Sequence, residues 1–374
     1  MRFLLAVFLL LVTLSSPMVS AMTPARRLWL PILLNTNQFL AHDSRDVVIL
    51  YDLNGKAIRK FVPRSGHVDT IAVTPDEKYL LIEADDGSLQ LCEIQSGVTK
   101  WFLAPNKTGL DYGHGASFSA DGQSFIICAN AQALVMKTAT GRRVVSVHFD
   151  DSEKHEIASA ALSPDGSKGV FVAWLWGQPE GQVYTFDTST GTAHATGIAG
   201  SPGVQYSSDG KYVALSASNS RSQLRVIHAT GAIWSYVDIG HFGSISGIRP
   251  TRDGKFLITA DDKSGVTEGE ICVPDTATMK EIWRSSLSLK GLFLTDFDAE
   301  SMIGVSTDAD FSTTVINLRT GTSKLVVDNS KNYPTRQPDL PKVASHGCGA
   351  IGPAEITGMA LLLSALALIS CRRV

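Results

Sequence analysis

Cysteine is scarce, five in 374 residues, too few for a disulfide-stapled scaffold. There is no basic surplus, since 33 Lys and Arg stand against 36 Asp and Glu. A net charge of −3 argues against a general binder of nucleic acid or of anionic membrane surfaces. Glycine (32) and proline (15) are near ordinary usage, which excludes collagen-like and low-complexity classes. Common enzyme motifs are missing: no G-x-S-x-G, no P-loop, no G-x-G-x-x-G between a strand and a helix. None of the nine histidines shows a metal-ligand spacing such as H-x-H or H-E-x-x-H. What is present, 44% apolar and 18% charged residues, suffices for a sizeable core.

Two stretches read as addresses rather than fold. Residues 1–21 have the parts of a secretory signal: Arg2, an apolar run from Phe3 to Leu14, and a small-residue cleavage site ending at Ala21. The alternative is an uncleaved anchor, for which the apolar run is short. At the other end, Gly347-Cys348-Gly349-Ala350 precedes an uncharged run, Ile356 to Ser370, and Arg372-Arg373. Fifteen helical residues rise about 22 Å, slightly short of a ~30 Å hydrocarbon core, a gap that snorkelling or bilayer thinning can absorb. The arginines place the tail end on the cytoplasmic side and the bulk of the chain outside. A C-terminal core helix is the alternative, but the run has no polar face.

The order of Cys between glycines, short apolar segment and terminal arginines resembles bacterial C-terminal sorting signals of the exosortase and myxosortase type. That resemblance covers residues 347–373 and implies processing or lipidation at Cys348. A eukaryotic glycolipid-anchor signal has a similar order, but such tails usually end apolar.

Between the two ends the chain repeats. At about 150 residues per domain its length would suggest two or three domains, a prior that fails for a repeated small unit. The motif Ser/Thr-x-Asp-Gly-Lys recurs, with variations, around Asp76, Asp121, Asp165, Asp209 and Asp253. A worn copy falls at Asp296-Phe297-Asp298, so that the aspartates are spaced by 45, 44, 44, 44 and 45. Some 20 residues after these marks come Thr/Ser-Gly turns at Gly97, Gly141, Gly191, Gly231 and Gly321, with Thr278-Met279 as a copy lacking Gly and Asn54-Gly55 upstream. Short β-rich runs such as Tyr79–Ile82 and Phe125–Cys128 lie between. Four strands per unit and seven units predict an all-β, seven-bladed β-propeller over residues 25–328, followed by a proline-bearing linker at 329–346. The first unit has no Asp-Gly copy. Its opening strands would be Leu28–Leu33 and Gln38–Ala41; without them the ring would close by pairing strands from both chain ends.

Gly66-His67, eight residues ahead of Thr74-Pro75-Asp76, with Asp86-Gly87-Ser88-Leu89 downstream, resembles a WD-repeat, although Cys92-Glu93 stands where Trp-Asp is expected. Gly113-His114 and Gly240-His241 are similar, and the resemblance implies a structural role for these histidines inside each blade. Glu93-x-x-Ser96-Gly97 with Trp101, and Asp275-x-x-Thr278 with Trp283, resemble quinoprotein-type repeats. The quinone dehydrogenases of that type have eight blades, adjacent cysteines and a Ca²⁺ set, none of which is found here, so no cofactor and no metal site are expected.

The repeated aspartates read as turn residues that tie their own hairpins, not as an acid–base set. Cys92, Cys128 and Cys272 read as small buried hydrophobes. The rim opposite the Asp-Gly and Thr-Gly turns carries loops of variable length, where binding is expected. Trp174 and Trp176 lie on one of them, in an interval of 26 residues from Asp165 to Gly191 against 20 from Asp121 to Gly141. Period-2 spacing puts both indoles on one side if the strand continues. Tyr184 is placed to back them, and Asp261, Asp262 and Lys263 offer polar contacts on the same rim. Packing of the indoles between blades is the alternative. The expectation is an exported, membrane- or surface-anchored, non-catalytic propeller that binds a protein or glycan partner and no nucleic acid. The alternative is an exported propeller enzyme of the lactonase or quinoprotein type.

Overall fold

The computed structural model describes residues 31–328 apart from short stretches between strands, with backbone alone through most of 229–295. Residues 1–30 and 329–374 lie outside the description. The export signal with Ala21, the linker, Cys348 and the apolar segment 356–370 therefore lie outside it as well. Among the described residues no helix is long and apolar enough to cross a membrane.

All described strand pairs are antiparallel and join consecutive strands. They form seven four-stranded meanders among the described residues, at 32–61, 68–103, 115–148, 156–200, 201–240, 244–287 and 293–327. The fourth and fifth units share one continuous strand, Ala193–Tyr206. Its first half pairs back to Gly181–Phe186 and its second half forward to Val213–Ser216. No loop separates these two units.

Second strands are apolar on both faces because each unit is sandwiched between two others. Leu80 and Ile82 pack on Leu40 and Leu50 of the first unit, while Leu81, between them, packs on Phe125 and Ile127 of the third. Successive side chains leave a strand on opposite faces, so one strand feeds two cores. This explains the uninterrupted apolar runs in the sequence; full burial of each such side chain contributes about 1.5–3 kcal/mol.

The first unit forms its own opening strands, Ile32–Leu34 and Gln38–Asp43. Among the described residues the first and last units meet by packing and not by strand pairing. The Leu33 N–H donates to Asp296 Oδ2 at 2.8 Å, and Phe39 and Ala41 pack on Val305 and Val326. Gly55 lies so close to the last unit that a Cβ there would stand 1.9 Å from the Val326 carbonyl oxygen. The Asn-Gly turn thus serves the seam as well as the hairpin.

The recurring motif builds the same turn each time. In the third unit, Ser119 Oγ donates to Asp121 Oδ1 at 2.6 Å and accepts the Ser124 N–H at 3.1 Å, while Asp121 Oδ1 accepts the Gln123 N–H at 2.9 Å. Thr74 with Asp76, Ser163 with Asp165, and Ser207 with Asp209 repeat the arrangement. Gly122, Gly166 and Gly210 hold φ of 67°, 69° and 72°, and Glu77 stands in the same conformation at 56°.

Register corrects two readings. Asp298 pairs with Ile303 and so occupies the place of Thr74 or Ser119, not that of the motif aspartate; like them it accepts a turn N–H, from Ser301 at 3.3 Å. The even spacing to Asp298 came from a frame shifted by two residues. His67, expected inside its blade, is exposed, and its main chain makes the ties: its N–H donates to Asp85 Oδ1 and its carbonyl accepts the Asp85 N–H, both at 2.8 Å. His114 and His241 lie outside the described residues. Trp101 is a tie between units. Its Nε1–H donates to the Thr138 carbonyl at 2.8 Å, its ring stacks on Phe125, and Gly141 lies against it.

Candidate functional site

Two places at the junction of the fourth and fifth units stand out, one on each rim. On the variable rim, the strand Lys168–Trp174 ends at half-buried Trp174, paired with Glu156. Trp174 Nε1–H donates to the Gln178 carbonyl at 2.8 Å, tying Gln178 to the strand end. Gly181 closes the loop where a Cβ would stand 2.2 Å from the Ala173 carbonyl oxygen. The loop is also held by the next unit. Arg225, 6% exposed, donates through Nη1 to the Ala199 carbonyl and reaches Glu180 Oε1 at 3.9 Å. Tyr184 stacks on buried Phe171 at 5.1 Å between centroids. Trp176 and Lys263 lie outside the described residues.

Asp261 and Asp262 close the strand Leu257–Asp262 rather than sitting in a loop, because they still pair with Glu270 and Gly269. Asp262 holds in the sixth unit the register position that Trp174 holds in the fourth, and the fifth unit intervenes. Backbone placement puts the two on the same rim but not on adjacent units.

On the rim of the regular turns there is a groove of about 710 Å³ that sequence reasoning missed. Asp165, Asp187 and Asp209 line it with Lys168, His194 and Tyr206. The two ends of the shared strand, His194 and Tyr206, both come to it. Its floor depends on a glycine: a Cβ at Gly169 would stand 2.0 Å from Phe186 Cζ, so the ring lies where other second strands carry Leu80, Phe125 or Val213. A glycine inside a strand, marking such a close approach, was the available signal.

All three carboxylates are held below the usual range. The Ser163 hydroxyl does this for Asp165, with the N–H and hydroxyl of Ser167, and the Ser189 hydroxyl and N–H do it for Asp187. Burial opposes ionisation of Asp209, but the Lys211 N–H, the Ser207 hydroxyl and the Lys211 ammonium together outweigh it. All three are ionised at neutral pH. Burial pushes the Tyr206 phenol up to about 12, with the Asp165 charge adding to the effect.

The same place between the second and third units holds a groove of only about 180 Å³. Register makes the comparison residue by residue. Tyr79 answers to Lys168, Leu91 to Thr185, Trp101 to His194 and Asp121 to Asp209, while Lys100 is the extra residue of a bulge that the fourth unit lacks at this place. In the narrow groove Lys100 lies 5.8 Å over the Tyr79 ring.

Buried Cys92 and Cys128 are free thiols. Burial and the charge of Glu83 push the Cys128 thiol far up, so it stays protonated and is no nucleophile. Among the described residues no group of three or more His, Cys, Asp or Glu gathers in a metal-holding arrangement.

No protein-family model matches this sequence, and no curated protein matches it. Solved structures do. Hydrazine synthase of Kuenenia stuttgartiensis is 16% identical with a TM-score of 0.57, over 78% of this chain and 92% of that one. The β-propeller domain of Myceliophteria thermophila Cps50 (Swd1) is 12% identical with a TM-score of 0.57, over 70% and 86%. Dihydro-heme d1 dehydrogenase NirN is 17% identical with a TM-score of 0.55, over 77% and 63%.

The chain is a β-propeller. At such identities the likeness carries the fold alone, since propellers host enzymes and binding modules alike. The chain's four-stranded units fit the blades of such a fold.

Proposed function

We propose that this chain is an exported, seven-bladed propeller that works as a non-catalytic scaffold, anchored at a membrane or cell surface by residues 347–374 and binding a protein or glycan partner. The observation that carries the reading is the pair of ties at Gln178 and Glu180, beyond the strand that ends at Trp174. The first joins Gln178 to Trp174, and the second joins Glu180 to Arg225 of the next blade. Contacts already made in the free protein lower the ordering cost of binding at those residues. Tryptophan on such a loop is the residue type enriched where proteins grip partners. The turn carboxylates support the same reading, because each is committed to hydrogen bonds of its own turn.

Two measurements on the purified full-length protein test it. Elemental analysis and an absorbance spectrum come first: stoichiometric Ca²⁺ or Zn²⁺, or a quinone band, would favour the exported-enzyme alternative. Fractionation of cells carrying the chain truncated after Ser345 comes second. Release of a folded propeller into the exported fraction is expected, and retention in the membrane would reject residues 347–374 as the anchor.

A further inference from the structure

We propose that the outer wall formed by the seventh, first, second and third blades lies against an anionic lipid surface. The choice of lipid as occupant rests on the reading of residues 347–374 as a membrane anchor; the wall itself does not.

The fourth strand of each blade is the free edge of its sheet. Four of these edges follow one another around the ring: Thr322–Val327, Ala57–Phe61, Thr99–Leu103 and Arg143–His148. At each junction the turn of one blade lies against the edge strand of the blade before it. Gly55 lies against Val326, Gly97 against Arg59, and Gly141 against Trp101 and Leu103. Arg59 adds a bond from Nη1 to the Ser96 carbonyl at 2.9 Å.

Three observations converge on this wall. The first is charge. Segments 56–64, 98–103, 142–148 and 322–327 carry eight Lys and Arg and no Asp or Glu, in a chain whose net charge is −3. Lys56, Lys60, Lys100, Arg142, Arg143 and Lys324 are exposed. The overall charge conceals this separation. Carboxylates stand at the margins: Asp52 and Glu93 are bonded within their turns, and Asp328 follows the last strand.

The second is apolar surface. Ile58, Val62, Val98, Val144 and Leu325 are between 42% and 62% exposed, and they are all the exposed large hydrophobics among the described residues. Singly such residues are ordinary. Here every one falls in a basic segment. An edge position does not demand either feature. In the fourth blade the corresponding stretch, residues 193–200, has no Lys, no Arg and no exposed large hydrophobic, and in the fifth, Tyr236–Gly240 carries Asp238.

The third is the course of the chain. Thr322–Val327 is the last described strand and one of the four edges, and the uncharged run 356–370 follows it in sequence. A chain anchored by that run leaves for the lipid from this wall. Cations alone would suit any polyanion. Cations interleaved with aliphatic side chains suit the boundary between anionic headgroups and acyl chains.

The test is lysine acetylation, read by mass spectrometry, of the full-length protein mixed with vesicles of phosphatidylcholine alone or with added phosphatidylglycerol. Lys56, Lys60 and Lys324 should react about threefold or more slowly on the anionic vesicles, and high salt should abolish the difference. Lys211, exposed on the fifth blade, should react equally on both. Lys60→Gln with Arg143→Gln should return Lys56 and Lys324 to the rate seen on neutral vesicles. Val62→Ser with Val98→Ser should reduce the protection with every charge in place. All four positions are exposed, so both double variants are expected to fold. Equal reaction on the two lipids overturns the proposal, as does protection that survives Lys60→Gln with Arg143→Gln. Protection unchanged by Val62→Ser with Val98→Ser, or matched by soluble polyglutamate, overturns the commitment to lipid. Flotation with the neutral vesicles reports the tail separately. A protein that fails to float there rejects the anchor, while slower reaction of the wall lysines on anionic vesicles still upholds the wall.

Discussion

Ser119→Ala isolates the energetics of the repeated turn. Ser119 is fully buried, donates to Asp121 Oδ1 at 2.6 Å and accepts the Ser124 N–H at 3.1 Å. The two bonds do not count equally. Asp121 is exposed, so its carboxylate regains water and keeps the Gln123 N–H; its share of the loss is small. Ser124 is buried, and alanine leaves its N–H without that acceptor. A buried donor left unsatisfied costs about 1–3 kcal/mol. The expected cost is therefore about 2 kcal/mol, read as a lowered urea midpoint at unchanged slope. Ser189→Ala is the control: it removes a hydroxyl that also bonds an aspartate, at 2.6 Å, but on an exposed turn, and should fall within about 0.5 kcal/mol of wild type. Ser119→Thr should keep most of the stability, since Thr74 does the same work in the second blade. If Ser119→Ala and Ser189→Ala cost the same, burial is not what makes this turn matter, and the reasoning fails.

Gly169→Leu places in the fourth blade the residue type found at Leu80, but its Cβ would overlap Phe186; a loss of about 3 kcal/mol is expected, relieved in part by adding Phe186→Ala in a double-mutant cycle. Glu77→Gly removes a left-handed residue from the one described Asp-turn that lacks glycine, and should raise stability by about 0.5 kcal/mol in urea unfolding, the strain relieved exceeding the chain entropy added. The carboxyls of Asp165 and Asp209 sit below their ordinary value of 3.8 in the folded state. Their contribution is thus fully present above that value and lost as pH falls through the folded values; unfolding midpoints should drop only in that acid window, and Asp165→Asn should flatten the drop. Trp174→Ala with Trp176→Ala should weaken partner binding with little change in melting temperature; a loss of several kcal/mol of stability would instead make the indoles core residues.

The fold was legible because propeller turns are chemical necessities repeated at fixed intervals. Each hairpin needs a left-handed residue and an acceptor for its exposed N–H groups, so Asp-Gly recurs about every 44 residues. Of the opening strands expected in the first unit, Gln38–Ala41 lies within the strand Gln38–Asp43, while the first is described only at Ile32–Leu34, and Asn37, at φ 56°, stands in the turn between them. The frame at Asp298 was misread for the opposite reason: two aspartates two residues apart both satisfy a spacing rule, and only strand pairing with Ile303 tells which one stands at the turn. Asp261 and Asp262 read as loop because acidic residues are uncommon in strands. Pairing to Glu270 and Gly269 overrides that preference.

The groove was hidden because it is a difference between repeats, and the chain conceals which positions to compare. Leu91 stands 15 residues after Asp76, but its counterpart Thr185 stands 20 after Asp165. The longer loop after Trp174 shifts the count by five, so a reader aligning by distance compares the wrong residues. Register removes the shift, and the departures then fall together: Tyr79 to Lys168, Leu91 to Thr185, Trp101 to His194, Phe118 to Tyr206. Each substitution alone is an ordinary surface or edge variation. Together they empty one seam of bulk, as an indole and a leucine give way to an imidazole and a threonine. In a fold whose units must be alike to pack, a cluster of unlike residues at one seam is where selection for something other than packing becomes visible.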